Sequence, residues 1–177
     1  KEETELPEEE AEQEQQVTAV EGQIRVLIKT DGFSHTVHNA VTIQAESGIR
    51  ITAGEESTEY GSEAITIAPD DTAFQGGNLT IETLAAEEKI QLVSLNRGYG
   101  VPQYRGTLEL FTTAEGIVII NELTLEEYVY AVVPSEMMSS YESEALKVQD
   151  VCARSYAYCQ MREMGYPEYN AHVDDSV

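Results

Sequence analysis

Positive charge is scarce in this chain: its 177 residues hold 10 Lys and Arg against 33 Asp and Glu, a formal net charge of −23. A phosphate backbone would be repelled at every approach, so nucleic acid is excluded as a partner, and an anionic membrane surface is disfavoured for the same reason. A neutral or weakly charged polymer is compatible with that charge. So is the plainer reading, a protein kept soluble by its acidity. No apolar run is long enough to span a membrane, although apolar residues make up 41% of the chain and suffice for a core. An initiator methionine and a signal segment are also missing, since the chain opens at Lys1. That opening is read as trimming, and membrane association is expected only through an N-terminal anchor removed upstream.

Cysteine is nearly absent too. Cys152 and Cys159 stand seven residues apart. On a helix they lie two turns apart on one face, about 10 Å, beyond the roughly 7 Å Cα separation that a disulfide tolerates. They are expected to be small buried residues rather than a redox pair. Cysteine usage therefore says nothing about the compartment.

What the chain does contain falls into three parts. KEETELPEEEAEQEQQ carries eight Glu and almost nothing apolar. Such a segment cannot bury enough surface to offset the entropy of ordering it, so residues 1–20 are expected to be a disordered acidic linker. From residue 21 onward the pattern is β. Ile24–Thr30, Val41–Ala45, Ile49–Thr52, Ala64–Ile67 and Leu79–Glu82 alternate apolar and polar residues, with glycines between them. Further strands are expected at Ile90–Leu95, Gly106–Thr112 and Gly116–Ile120, building a small sheet or barrel.

After Asn121 the period becomes helical. Thr124-Leu125-Glu126-Glu127 fits a capping box, and Leu125, Tyr128, Val129 and Val132 follow at helical spacing. Pro134 disfavours helix for the residue before it, which predicts an end near Val133. A second box, Ser139-Ser140-Tyr141-Glu142, predicts a longer helix to about Met164, stopped by Gly165 and Pro167. Ala145, Val148, Cys152, Ser155 and Cys159 would form its packing face. The predicted class is α+β: a β-rich N-terminal half of short antiparallel strands, then a short and a long helix carrying a loop between them.

That loop holds the candidate chemistry. Glu136 follows Pro134 and sits beside Met137 and Met138. A carboxyl flanked by apolar side chains in a concave connection is a candidate for a raised pKa, the property a general acid needs. A plain loop glutamate fits the same pattern.

The string from Asn121 to Tyr158 resembles the core signature of the stage II sporulation protein D/LytB family. The matching pieces are Asn121-Glu122-Leu123, Leu125-Glu126-Glu127-Tyr128, Val132-Val133-Pro134-Ser135-Glu136-Met137, Glu144-Ala145-Leu146-Lys147, Gln149, and Ala153-Arg154-Ser155-Tyr156-Ala157. Upstream, Ile24-Arg25-Val26 and Tyr104-Arg105-Gly106-Thr107-Leu108-Glu109-Leu110 resemble the family's opening strand and its Y-R-G strand. The resemblance implies a peptidoglycan-active domain outside the cytoplasm, at the cell wall or the outer face of the bacterial membrane. Its partners would be glycan strands and, in some members, a cell-wall amidase.

In sporulating relatives the implied activity is that of a lytic transglycosylase on strands stripped of stem peptides. Glu136 stands at the family's catalytic acid. Arg154, Gln149, Tyr156 and Ser135 stand at motif positions that imply contact with the glycan. Arg154 is equally readable as a helix-surface cation, and Gln149 and Tyr156 as buried hydrogen-bonding groups. The non-catalytic alternatives are an amidase-enhancing wall protein and a glycan-binding module. The resemblance also implies that 21–177 is the N-terminal part of such a domain, with the C-terminal part missing.

Two departures qualify it. Asp150 replaces the family's usual alanine and stands four residues before Arg154, where the two can pair on one helix face. That pairing puts the usual role of Arg154 in question. His172 lies where some members bind zinc with two cysteines, but no cysteine follows it, so no metal and no other cofactor is expected. His172 reads as a loop or core histidine.

Overall fold

The computed structural model describes residues 22–138 and 140–176. The acidic linker expected over residues 1–20 lies outside them.

Eleven strands, β1 to β11, form two open sheets. The larger runs in the order β11-β1-β10-β9-β6-β3-β4 and the smaller β5-β2-β7-β8. In chain order the strands are β1 (Gln23–Ile28), β2 (Val41–Gln44), β3 (Ile49–Ala53), β4 (Glu56–Tyr60), β5 (Ile65–Ile67) and β6 (Leu79–Thr83). Then follow β7 (Ile90–Leu92), β8 (Gln103–Tyr104), β9 (Thr107–Thr113), β10 (Gly116–Thr124) and β11 (Val173–Asp174). Neither sheet closes into a barrel. The α+β class holds: strands first, then helices α1 (Leu125–Glu136) and α2 (Ser143–Glu163). No described helix is long and apolar enough to cross a membrane.

Period-2 alternation sorts the buried side chains. Along β10, Ile117 and Ile119 face the main core, which draws on both sheets and both helices. Val118 and Ile120 turn to the opposite face and join Leu27 and Ala171 in a second cluster. Each such aliphatic side chain contributes about 1.5–3 kcal/mol by leaving water. The expected strand at 90–95 is shorter, ending at Leu92, and the one at 116–120 is longer, reaching Thr124. β1 pairs antiparallel with β10 and parallel with β11, so the segment after α2 returns to complete the sheet.

Gly106 makes the turn from β8 into β9 possible. Its φ is 72°, and a Cβ there would lie 2.2 Å from the Glu122 carbonyl oxygen and 2.8 Å from the Leu123 Cβ. Backbone, not a flexible side chain, blocks the space. Gly106→Val is therefore expected to cost about 4 kcal/mol or more, combining a strained backbone with a clash. Urea denaturation checks this, and a variant within about 1 kcal/mol of the parent would refute it.

Both helix boundaries correct the expectations. The capping box at Thr124 is present, with the Glu127 N–H donating to the Thr124 hydroxyl at 3.3 Å and the Thr124 N–H donating to the Glu127 carboxylate at 3.0 Å. The helix does not stop at Val133, however. Met137 N–H still donates to the Val133 carbonyl at 3.0 Å, so the helical turn persists across Pro134. Proline's fixed φ is compatible with helix. In the last turn it forfeits one hydrogen bond, while burial of Leu125, Tyr128, Val129 and Val132 holds the helix down.

The second helix begins at Ser143, with Glu142 as its N-cap and no side-chain cap bond. Of the box predicted there, Ser139 lies outside the described residues. A turn closed by Tyr141 N–H on the Met138 carbonyl precedes the helix instead. The helix ends as expected, at Met164 in the left-handed conformation.

Candidate functional site

The helix pair positions the site. Ala153 and Ala157, one turn apart on α2, are buried where it packs. The packing face is therefore rotated from the predicted stripe 145/148/152/155/159. As a consequence both cysteines are exposed free thiols rather than buried residues.

Glu136 is the last residue of α1 and is exposed, not set in a separate connection. Helical spacing explains where it points. Tyr128, Val132 and Glu136 recur every fourth residue, so the carboxylate continues the stripe that α1 turns towards α2. Across the interface the Gln149 side-chain amide donates to Glu136 Oε2. Together with Tyr128, Val132, Cys152, Ala153 and Tyr156, these two line a cleft of 260 Å³. Glu136 is the one carboxylate among those lining residues. A carboxyl group at the rim of an apolar cleft, oriented by a neighbouring amide, is the kind of group that general acid and base work requires.

The other candidates divide. Gln149 and Tyr156 are brought to Glu136. Arg154 is not. Its guanidinium pairs with both oxygens of Glu126 at 2.9 and 2.8 Å and with Asp150 at 2.7 Å. Those hydrogen bonds and charges push the Arg154 pKa further up. The pair with Asp150 is the one the sequence predicts, and Arg154 does not line the cleft. The Ser135 hydroxyl turns back along its own helix and donates to the Val132 carbonyl at 2.7 Å.

A second cleft of 430 Å³ opens on the far side of Tyr156. It shares Tyr128 and Tyr156 with the first and adds Gln160, Tyr166, His172, Asp174 and Ser176. Burial opposes ionisation of Asp174, but hydrogen bonds from Lys29, Ser176 and Tyr166 outweigh it and hold the carboxyl well below the usual range. Lys29 Nζ lies 2.6 Å from one oxygen, and the Ser176 N–H and hydroxyl donate to the other at 2.9 and 2.6 Å. The Tyr166 hydroxyl completes the set. A larger hollow of 870 Å³, between residues 30–40, Ser94, Leu95 and Glu115, shares no residue with this groove.

His172 serves the fold. Its Nδ1 accepts the Arg25 N–H at 3.0 Å, its own N–H donates to the Arg25 carbonyl at 2.9 Å, and burial lowers its pKa. Among the described residues no group of three or more His, Cys, Asp or Glu could hold a metal ion. His38 is also buried, bonds the Ile28 carbonyl at 2.9 Å, and has its pKa lowered by burial.

A histidine with a lowered pKa binds fewer protons folded than unfolded. Its stabilisation is complete above the unfolded value of about 6.5 and is lost as pH falls through the folded value. The urea midpoint is therefore expected to fall between pH 7.5 and pH 5.5, before most carboxylates titrate. His172→Asn, whose Oδ1 can stand where Nδ1 does, should flatten part of that slope. An unchanged midpoint over this window would refute the assignment.

Tyr128, Val132, Cys152 and Ala153 are the cleft residues to which the motif reading assigns no contact with the glycan. The four-residue spacing from Tyr128 to Glu136 was available as a signal. Nothing in the spacing of Asp174 marks it as a groove residue, because β11 brings it there.

Comparison with known proteins bears on this region. Residues 113–177 match the family model described as Stage II sporulation protein, SpoIID. The resemblance read from residues 121–158 therefore holds, since that stretch lies within the matched segment. An uncharacterized protein of Brachyspira hyodysenteriae is 42% identical over 55 residues, which is 31% of this chain and 15% of that protein. The chain thus matches only a small part of that relative's length. No solved structure matches.

Proposed function

From the similarity of residues 113–177 to the Stage II sporulation protein model, we propose that the chain carries a lytic transglycosylase site acting on peptidoglycan glycan strands outside the cytoplasm. The observation that supports this most is a single carboxylate, Glu136, at the rim of the cleft and held by Gln149. A retaining glycosidase needs a second carboxyl about 5 Å away as nucleophile, and an inverting one needs a second to activate water. Asp174 is a poor candidate for either role, since Lys29, Ser176 and Tyr166 already fill both of its oxygens.

One carboxyl suffices if the substrate supplies the nucleophile. Glu136 protonates the oxygen bridging MurNAc to GlcNAc, and the bond from that oxygen to C1 breaks. The resulting carboxylate then takes the proton of the same sugar's 6-hydroxyl as that oxygen closes on C1. A 1,6-anhydro end results, no water is consumed, and Glu136 returns to its acid form.

A second reading is a non-catalytic wall protein that enhances an amidase. It is favoured by the exposed apolar side chains that the helix pair and its connection carry: Tyr130, Met138, Tyr141, Val148 and Val151. Product chemistry separates the two. Purified strands with and without stem peptides are incubated with the chain, and the products are read by mass spectrometry. Anhydro ends support transglycosylation, whereas reducing ends would replace it with hydrolysis. No product, with faster turnover of an added amidase, would replace it with the enhancer role.

A further inference from the structure

The two clefts meet over one side chain that the mechanism leaves unused. Tyr128 is 6% exposed, lines both clefts, and its hydroxyl bonds to no described residue. A buried phenol without a protein partner forfeits a hydrogen bond unless its oxygen reaches solvent or a ligand. Here the oxygen is not fully buried, since no fully buried side-chain oxygen among the described residues lacks a partner, and its residue lines both clefts.

We propose that Tyr128, Tyr156 and Gln160 form a second saccharide subsite beside the bond on which Glu136 acts, with the Tyr128 hydroxyl donating from its floor to an oxygen of the sugar. This rests on the glycan-cleaving reading above.

Three features fit a sugar. Tyr156 is 55% exposed on the divide between the clefts and offers a ring face against which a sugar can lie. Gln160 adds an amide with both donors and an acceptor. From Gln149 to Gln160 the groove follows α2 for about 16 Å, room for more than one sugar ring. Burial pushes the Tyr128 phenol up to about 12, so it remains a donor throughout the working range of pH.

Charge selects which sugar. Of the cations near this cleft, Lys29 is paired with Asp174 and Arg25 with Glu109 and Glu122, so neither is left to meet an anion in it. An anion is disfavoured there. The subsite therefore takes the uncharged N-acetylglucosamine of the repeat rather than N-acetylmuramic acid, whose lactyl group carries a carboxylate.

Chitobiose and chitotetraose, which are neutral, test this by calorimetric titration of the chain, Tyr128→Phe and Gln160→Ala. The expected result is that each substitution weakens chitotetraose about ten-fold while chitobiose binding changes less. The melting temperature of Tyr128→Phe should stay near the parent's, because the lost hydroxyl has no partner among the described residues. Equal binding of chitotetraose by parent and folded variants would overturn the subsite alone. So would anhydro products released by Tyr128→Phe with the parent's KM. Failure of the parent to bind either oligosaccharide or any glycan strand would overturn the glycan-cleaving reading, and the subsite with it.

Discussion

Glu136→Gln is expected to lower release of 1,6-anhydro ends by about 10²- to 10⁴-fold, the usual contribution of a positioned acid and base. The substitution keeps the shape of the side chain and leaves an oxygen for the Gln149 amide to meet, so the hydrogen bond across the helix pair persists. Only the transferable proton is removed. Because Glu136 is exposed at the end of α1, its replacement should leave the urea midpoint unchanged. Gln149→Leu should behave differently, with a smaller loss of about ten-fold in kcat, since it removes the orienting amide and not the acid. The measurement is the yield of anhydro fragments per enzyme from stripped strands. Undiminished yield from Glu136→Gln would remove it from the chemistry and leave the amidase-enhancing role as the better account.

A large effect on stability is also expected at Arg25, on the strand that holds the returning C-terminal segment. Its guanidinium pairs with Glu109 and Glu122 and donates to the Asn170 carbonyl at 2.6 Å. The side chain is 16% exposed, so these charges are only partly screened by water. Arg25→Leu would leave two neighbouring carboxylates facing each other without a cation. Breaking a fully buried pair costs about 3–5 kcal/mol, and the partial exposure here reduces the expectation to about 2–4 kcal/mol. A companion variant, Arg25→Leu with Glu109→Leu and Glu122→Leu, should recover much of the loss, because no uncompensated charge remains. A urea midpoint for Arg25→Leu equal to the parent's would show that the network contributes nothing.

Much of the fold was legible because alternation and burial coincide. β1, β2, β3 and β6 carry apolar residues at every second position, and all of these but Ala53 are buried, with Leu27 buried besides on the opposite face of β1. β4 was not legible, since Glu56–Tyr60 is exposed along its whole length, and its pairing with β3 adds to the backbone ladder only exposed polar contacts, Arg50 with Glu59 and Thr52 with Ser57. β8 and β11 are two residues long, too short to show a period.

The helices show where local rules lose to packing. The proline rule gave way to four buried residues of α1. The small-residue stripe of α2 proved rotated because Ala153 and Ala157 fit the interface, leaving the cysteines outside. At the site, the family motif pointed to Glu136, and the structure adds the partner that holds it. The isolation of Arg154 could be anticipated from Asp150 alone, whereas Glu126, 28 residues away, required the helix pair to fold.

The parallel pairing of β11 with β1 has a kinetic side. Val26 meets Val173 and Leu27 meets Asp174, and the other edge of β1 waits for β10. Contacts of such sequence separation form slowly, because loop closure must precede any gain. During synthesis at about 5–20 residues per second, the interval from β1 to β11 is roughly 7–30 s. Until β10 emerges QIRVLI is an apolar strand with both edges open, and one edge stays open until β11 follows, which is the condition for pairing with a neighbouring nascent chain. Early shielding of this one segment, rather than the final stability of the domain, would then govern how much of the protein reaches its native state.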